Sequence, residues 1–445
     1  MSGLAVCADV GSTFTKVAVV DLADGRLVAA ATHRTTVDSD VLHGLDTAVA
    51  QATAGLGVRR LPWYVCSSAG GGLRLAVVGY EELVTARAGQ RVGLSAGARV
   101  VHVAAGRLDG PALAALRAAR PDVLLLVGGT DGGDAEVLLH NATRLARARW
   151  RRPVVLAGNA DVRDEVRDLL AGRGVPVTAT DNVLPRIGVL HAGPARAAIR
   201  EVFLRHVIGG KGLSRGRRFA GLVRAATPDA VLTGVELLAD RTGGDLAVVD
   251  VGGATTDVYS VLTPDERDTG PAREVAGTLW RSRTVEGDLG MRWSAPGVVR
   301  AAAAERLLAA GEEQTLAAAA VTRAADPAFV AADDRERAVD LRIATLAATV
   351  ALRRHARGDT PGSAARDLRD VRLLIGSGGV LRHADPQAAV GVLRAVLADH
   401  AGGWPLPRAA AAVVDVEYVL AAAGLLADEH PQAAAGLLQH RLLGR

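Results

Sequence analysis

Two short stretches of this chain pair a carboxylate with glycines and hydroxyls at a spacing that suits phosphate chemistry. The first is Asp9-Val10-Gly11-Ser12-Thr13-Phe14-Thr15-Lys16, with the acid at the end of an apolar run. Backbone N–H groups in such a turn can cradle an anion. The hydroxyls add donors, and Lys16 adds a compact positive charge. The carboxylate of Asp9 can hold a hydrated Mg²⁺, which takes few protein ligands and prefers phosphates and water. The second stretch, Asp250-Val251-Gly252-Gly253-Ala254-Thr255-Thr256-Asp257, has the same parts: an acid, two glycines, two threonines and a second acid. Two such hairpins facing each other across a cleft would grip one polyphosphate from both sides. A third stretch, Gly376-Ser377-Gly378-Gly379, follows the apolar segment 371–375. Glycines there let the backbone approach a flat ligand such as adenosine.

Other chemistries lack their residues. Lys16 and Lys211 are the only lysines, and neither stands in a G-x-x-x-x-G-K-[ST] phosphate loop. No G-x-G-x-x-G follows the first strand, and there is no H-E-x-x-H or C-x-x-C. Two cysteines, Cys7 and Cys66, cannot build a disulfide framework or a four-cysteine zinc site within one chain. The net charge is +4 over 445 residues and aromatics are 3%, so the arginine clusters at 147–152 and 215–218 read as solvated faces, not nucleic-acid sites. The most apolar stretch, 409–427, is broken by Asp415 and Glu417 and reads as a buried helix, not a membrane span. The first residues lack the basic and long apolar regions of a signal peptide, so a cytoplasmic protein is expected.

The elements that must position these residues are legible in outline. Residues 4–21 read as strand, tight glycine turn, strand, and 246–262 repeat that design. Apolar strands at 61–67, 122–127 and 154–157 each end in a glycine-bearing loop. Helical patterns follow at 134–149 and 161–170, so the fold class is α/β with a mainly parallel sheet. Residues 195–207 have helical spacing, 298–348 are alanine-rich and helical, and 359–366 read as a loop. The expected organisation is an N-terminal lobe over 1–208, a boundary region over 209–244, and a C-terminal lobe over 245–445 with a helical insertion near 298–363.

The ordered trio of motifs resembles the nucleotide contacts of the actin, Hsp70 and sugar-kinase superfamily. Further segments narrow the likeness: Ser67 to Leu73, Gly128 to Asp134 with Leu139-His140-Asn141-Ala142, Asp181 to Gly188 leading to Pro194-Ala195-Arg196, and Arg283 to Arg292. Together they resemble the accessory-protein family of glutamate (methylaspartate) mutase, from the first strand to about Arg382. Where that family has an acid before Pro-Ala-Arg, this chain has Gly193.

The resemblance implies a two-lobed actin-like ATPase fold, each lobe with a ribonuclease-H-like sheet and flanking helices. It implies ATP and Mg²⁺ as cofactors, with Asp9 and Asp250 holding Mg²⁺ through water. Gly11, Ser12, Thr13, Thr15, Lys16, Gly252, Gly253, Thr255, Thr256 and Asp257 would lie at the phosphates, and Gly376, Ser377, Gly378 and Gly379 at the adenosine. Glu286 and Asp288 resemble an acidic-glycine segment that lies near the nucleotide in chaperone members. Asp131 and Asp134 stand at a strand end, where ligands of α/β sheets bind. Asp131 is the preferred general base, while Asp134 serves equally as a helix cap. His140 and Asn141 are read as structural helix residues, and Cys7 and Cys66 as buried fillers. The implied activity is ATP-driven reactivation of an adenosylcobalamin-dependent mutase. A small-molecule kinase, an actin-like filament protein and an iron–sulfur activator of dehydratases are the alternatives.

Overall fold

In the computed structural model the chain is described for residues 3–57, 60–70, 73–96, 98–208, 212–263, 281–357 and 366–444. Gly71 and Gly72 of the Ser67 to Leu73 motif lie outside these residues. So do 209–211 at the start of the expected boundary region and 358–365 of the expected insertion and loop. The described residues fall into two compact units. One comprises 3–234, 281–282 and Ala421–Ala434, the other Val235–Thr263, Arg283–Leu420 and 435–444.

The first unit is built on β1 (Leu4–Val10), β2 (Phe14–Asp21), β3 (Leu27–Arg34), β4 (Trp63–Ser67) and β10 (Val223–Ala226). The sheet order is β3-β2-β1-β4-β10. β1 pairs antiparallel with β2 and β2 with β3, whereas β4 runs parallel to both β1 and β10. The helix Val41–Thr53 follows β3 and starts at Asp40, whose carboxylate accepts from Leu42 N at 2.9 Å.

Between β4 and β10 the chain makes a second sheet: β5 (Arg74–Gly79), β6 (Arg99–Ala105), β7 (Val123–Leu126), β8 (Val154–Leu156) and β9 (Val177–Ala179). All its pairings are parallel, in the order β6-β5-β7-β8-β9. Parallel sheets are covered on both faces, which explains near-continuous apolar runs such as Val123 to Leu126. Leu125 and Val155 pack into the core that holds Val6, Val10 and Val19, while Leu124, Val154 and Leu156 face a separate core with Leu138 and Leu145. The α/β reading thus resolves into two sheets here, one mixed and one parallel.

The second unit carries β11 (Leu246–Val251), β12 (Thr256–Val261), β13 (Arg281–Glu286), β14 (Leu373–Ser377) and β15 (Ala411–Val414). Their order is β13-β12-β11-β14-β15, with β11 and β12 antiparallel and β11, β14 and β15 parallel. The strand order repeats that of the first unit: a central strand, two strands to one side, two parallel strands to the other. Between β13 and β14 stand the helices Ala295–Ala304, Glu312–Ala325 and Asp334–Arg357, within the segment expected to be a helical insertion. The described part of 209–244 is not a loose linker. It holds the helix Arg218–Leu222, the edge strand β10 and the helix Thr227–Thr242, and the two units divide inside that last helix.

Candidate functional site

The two acid–glycine hairpins are the same piece of backbone. Gly11 N donates to Phe14 O at 3.1 Å, and Gly252 N donates to Thr255 O at 2.9 Å. A Cβ on Gly11 would meet Phe14 O at 2.8 Å, and one on Gly252 would meet Thr255 O at 2.9 Å, so glycine is what lets each turn close. The acid of each hairpin faces the residue seven positions on: Asp9 opposite Lys16, Asp250 opposite Asp257. Ser12, Thr13, Gly253 and Ala254 are exposed at the tips, outside the strand ladders.

Asp9 is buried and firmly held. Its Oδ2 accepts from Lys16 Nζ at 3.2 Å, and its Oδ1 accepts from Thr227 Oγ1 at 2.5 Å and from Cys66 Sγ at 3.7 Å. Burial, then the charge of Asp9, keeps the Cys66 thiol protonated, well above its ordinary range. Burial pushes Cys7 up to about 12. Both are buried thiols, as expected from their strands.

Asp250 stands at the matching position on β11, in register with Ser377 of β14. Where the first hairpin has Lys16, the second has Asp257, which brings its own cation: Arg283 Nη2 donates to Asp257 Oδ1 at 2.7 Å. Thr255 Oγ1 lies 3.4 Å from Asp257 Oδ2. The segment after β13 straps onto this hairpin, with Met291 N and Arg292 N donating to the carbonyls of Gly252 and Gly253 at 2.9 and 2.8 Å. Ser294 Oγ donates to Ala254 O at 2.8 Å.

The geometry gives several of the expected contact residues partners within the protein. Thr15 and Thr256 point into the core: Thr15 Oγ1 pairs with Thr35 Oγ1 at 2.9 Å, and Thr256 Oγ1 donates to Leu289 O at 2.6 Å. Their hydroxyls are engaged in packing, not presented to a ligand. Gly376 makes room for side chains, since its Cβ would sit 2.7 Å from Leu381 Cδ1 and 2.9 Å from Leu393 Cδ2. Ser377 is buried. Gly378, with φ +111, lies against Val251 O, which a Cβ would meet at 2.2 Å. Of the four only Gly379 is exposed, with nothing within 4 Å of an added Cβ.

Glu286 and Asp288 do border the strapped segment, but both are engaged by Arg354. Arg354 Nη1 donates to Glu286 Oε2 at 2.8 Å and to Asp288 Oδ1 at 2.7 Å, and Nη2 to Asp288 Oδ2 at 3.0 Å. That hydrogen bonding lowers the pKa of Asp288, while burial raises that of Glu286 against the pull of Arg354.

Asp131 stands on the parallel sheet, not on the sheet that carries Asp9. Its Oδ1 accepts from Ala160 N at 2.9 Å and from Asn182 Nδ2 at 2.8 Å, and its own N–H donates to Pro185 O at 3.1 Å. This carboxylate clamps the loops after β7, β8 and β9 together. Asp134 Oδ1 accepts from Glu136 N at 2.6 Å just before the next helix, whose N-cap position is Ala135. Asn141 is buried and structural, bridging Leu108 N and Gly106 O.

Thr227, Arg283 and Arg354 were not among the expected site residues. A Thr-Pro step after an apolar strand signals a helix start, which Thr227 is, but nothing local says that its hydroxyl reaches Asp9.

Two five-stranded sheets of one strand order, each opening on an acid–glycine hairpin, define the actin-like ATPase class of fold. The family model described as "MutL protein" matches residues 5–442, and this chain belongs to that family. It is 35% identical over 395 residues to "Protein MutL" of Clostridium tetanomorphum, covering 84% of this chain and 86% of that protein. Among solved structures it is similar to component A of (R)-2-hydroxyglutaryl-CoA dehydratase of Acidaminococcus fermentans. That match has 9% identity, covers 99% of this chain and 98% of the other, and has a TM-score of 0.29. The ethanolamine utilization protein EutJ of Carboxydothermus hydrogenoformans matches at 12% identity, over 98% of this chain and 89% of the other, with a TM-score of 0.29. Fold class rests on the strand order and the family, not on these overlaps. Among the described residues no helix is long and apolar enough to cross a membrane.

Proposed function

We propose that this chain binds and hydrolyses Mg-ATP in order to reactivate an adenosylcobalamin-dependent carbon-skeleton mutase of the glutamate (methylaspartate) type. The observation that carries the nucleotide part is the repeated hairpin, with the same closing hydrogen bond and the same acid position in two sheets of one topology. The partner part rests on membership of the MutL family. The cobalamin belongs to the mutase.

The residues present fit a nucleotide and its metal. One strand-end carboxylate per hairpin is the donor set of a cation that keeps most of its waters. When bound, Mg²⁺ would supply positive charge that offsets the negative charge of the phosphates. Asp9 is held by Thr227 and Lys16, so its oxygens are fixed acceptors for metal-bound water. Asp250 takes the same role from the second hairpin. Ser12, Thr13 and Gly253 offer N–H and hydroxyl donors to phosphate oxygens, and Gly379 leaves room for a ligand's approach.

The experiment is phosphate release from Mg-ATP with and without cobalamin-inactivated glutamate mutase, scoring recovered mutase activity in the same tube. Asp9→Ala is the control. Turnover and recovery should rise together and vanish together in the variant. Turnover without recovery would leave the ATPase and remove the mutase as partner.

A further inference from the structure

The inserted parallel sheet also opens at the edge where β5 and β6 begin. There a groove with a volume of about 690 Å³ is lined by Arg74, Arg99 and Arg120 together with Val100, Val101 and Ala119. That volume falls in the range of small-molecule sites, roughly 300–1,000 Å³.

The arginines are placed in a way that repels. Arg74 and Arg99 are the first residues of β5 and β6 and are direct register partners on adjacent parallel strands. Like charges set side by side on one sheet face are destabilising. Arg120 follows the helix Gly110–Ala118 with φ +44, a left-handed conformation that residues other than glycine rarely hold. Arg74 is pinned: its Nε donates to Arg120 O at 3.1 Å and its Nη2 to Ala119 O at 2.8 Å. The nearby carboxylate is Asp122, whose Oδ2 accepts from Arg74 N at 3.1 Å. Three arginines line the groove, and Arg99 and Arg120 are exposed.

We propose that this groove is a second anion site, for a small molecule carrying a multiply charged phosphate or diphosphate group. Guanidinium forks match phosphate oxygens two at a time, and a dianion or larger balances the surplus charge. The site goes beyond the nucleotide reading: it lies where the strands of the inserted sheet begin, whereas Asp9 stands where β1 ends. A purely structural reading, in which these arginines neutralise the carbonyl end of the helix Gly110–Ala118, predicts an effect on stability and none on binding.

The test is calorimetric titration of the full chain with pyrophosphate at constant ionic strength. The expected result is a saturable site that persists in Asp9→Ala. Arg99→Gln with Arg120→Gly should weaken it at least tenfold without lowering the melting temperature and with ATP turnover unchanged; glycine at 120 relaxes the left-handed backbone, so the fold is kept. Arg99→Lys with Arg120→Lys, which keeps charge and loses the fork, should fall between. No saturable binding up to millimolar pyrophosphate would overturn the proposal. So would an isotherm that survives the Gln/Gly variant, or one lost only in Asp9→Ala.

Discussion

Thr227 Oγ1 lies 2.5 Å from Asp9 Oδ1, so the first residue of the helix after β10 holds the acid at the end of β1. The two residues are far apart in sequence, and they meet because β10 and β1 flank β4 on either side in one parallel run. With Lys16 on the other oxygen, the carboxylate is fixed from two directions.

Replacing Thr227 by valine keeps the shape and removes the donor. Hydrogen bonds to charged groups contribute about 1.5–3 kcal/mol. Thr227→Val should therefore lower the melting temperature and, on the proposed function, raise the Mg²⁺ concentration needed for ATP binding. Thermal melts and ATP titrations at stepped Mg²⁺ read both. A variant unchanged in each would show that Asp9 needs no such support.

Gly378 and Gly379 are neighbours with opposite expectations. Gly378→Ala combines a positive φ with a 2.2 Å clash on Val251 O, and should cost more than about 3 kcal/mol or prevent folding. Gly379→Ala meets nothing within 4 Å and should melt like the parent. Weakened ATP binding in that well-folded variant would put the nucleotide beside Gly379; unchanged binding would exclude it from there.

Arg354 neutralises two carboxylates at once. Arg354→Met should destabilise the chain by about 2 kcal/mol by leaving the largely buried Glu286 uncompensated. Adding Glu286→Gln and Asp288→Asn should restore most of that loss, as read from urea midpoints. A triple variant no better than Arg354→Met would mean that packing, not charge, is what the arginine supplies.

His355 is fully buried between Ser260 Oγ and Thr284 Oγ1, at 2.8 and 2.9 Å. Burial, with Arg366 adding to it, holds its pKa well below the ordinary value of 6.5. The folded imidazole stays neutral while the unfolded one takes a proton below that value. Its stabilising contribution is thus complete above pH 6.5 and is lost as pH falls toward the folded pKa. The slope approaches about 1.4 kcal/mol per pH unit. Urea midpoints between pH 7.5 and pH 5 should fall more steeply for the parent than for His355→Gln; parallel curves would discard the idea.

How much of this was legible can be argued residue by residue. The hairpins were, because an acid, a glycine turn and flanking β-branched residues are local signals, and the backbone closes there as the spacing implies. The inward turn of Thr15 was also legible: strict alternation puts it on the same face as Val17 and Val19, both buried. Gly376 and Gly378 were visible as special positions, but glycine serves packing against Leu381 and Leu393 as readily as approach to a ligand, and sequence does not distinguish them.

The sequence by itself determined the local backbone: where strands turn, where glycine is needed, and which acids end the central strands. Only the tertiary structure decided that β5 to β9 form a separate parallel sheet, that Asp131 is used as a loop clamp, and that Thr227 and Arg354 hold the acids. The reason is physical. Turn closure is fixed by neighbours a few residues apart, whereas strand order and the partner of a buried carboxylate are set by packing between segments remote in sequence, where many pairings satisfy the same local pattern.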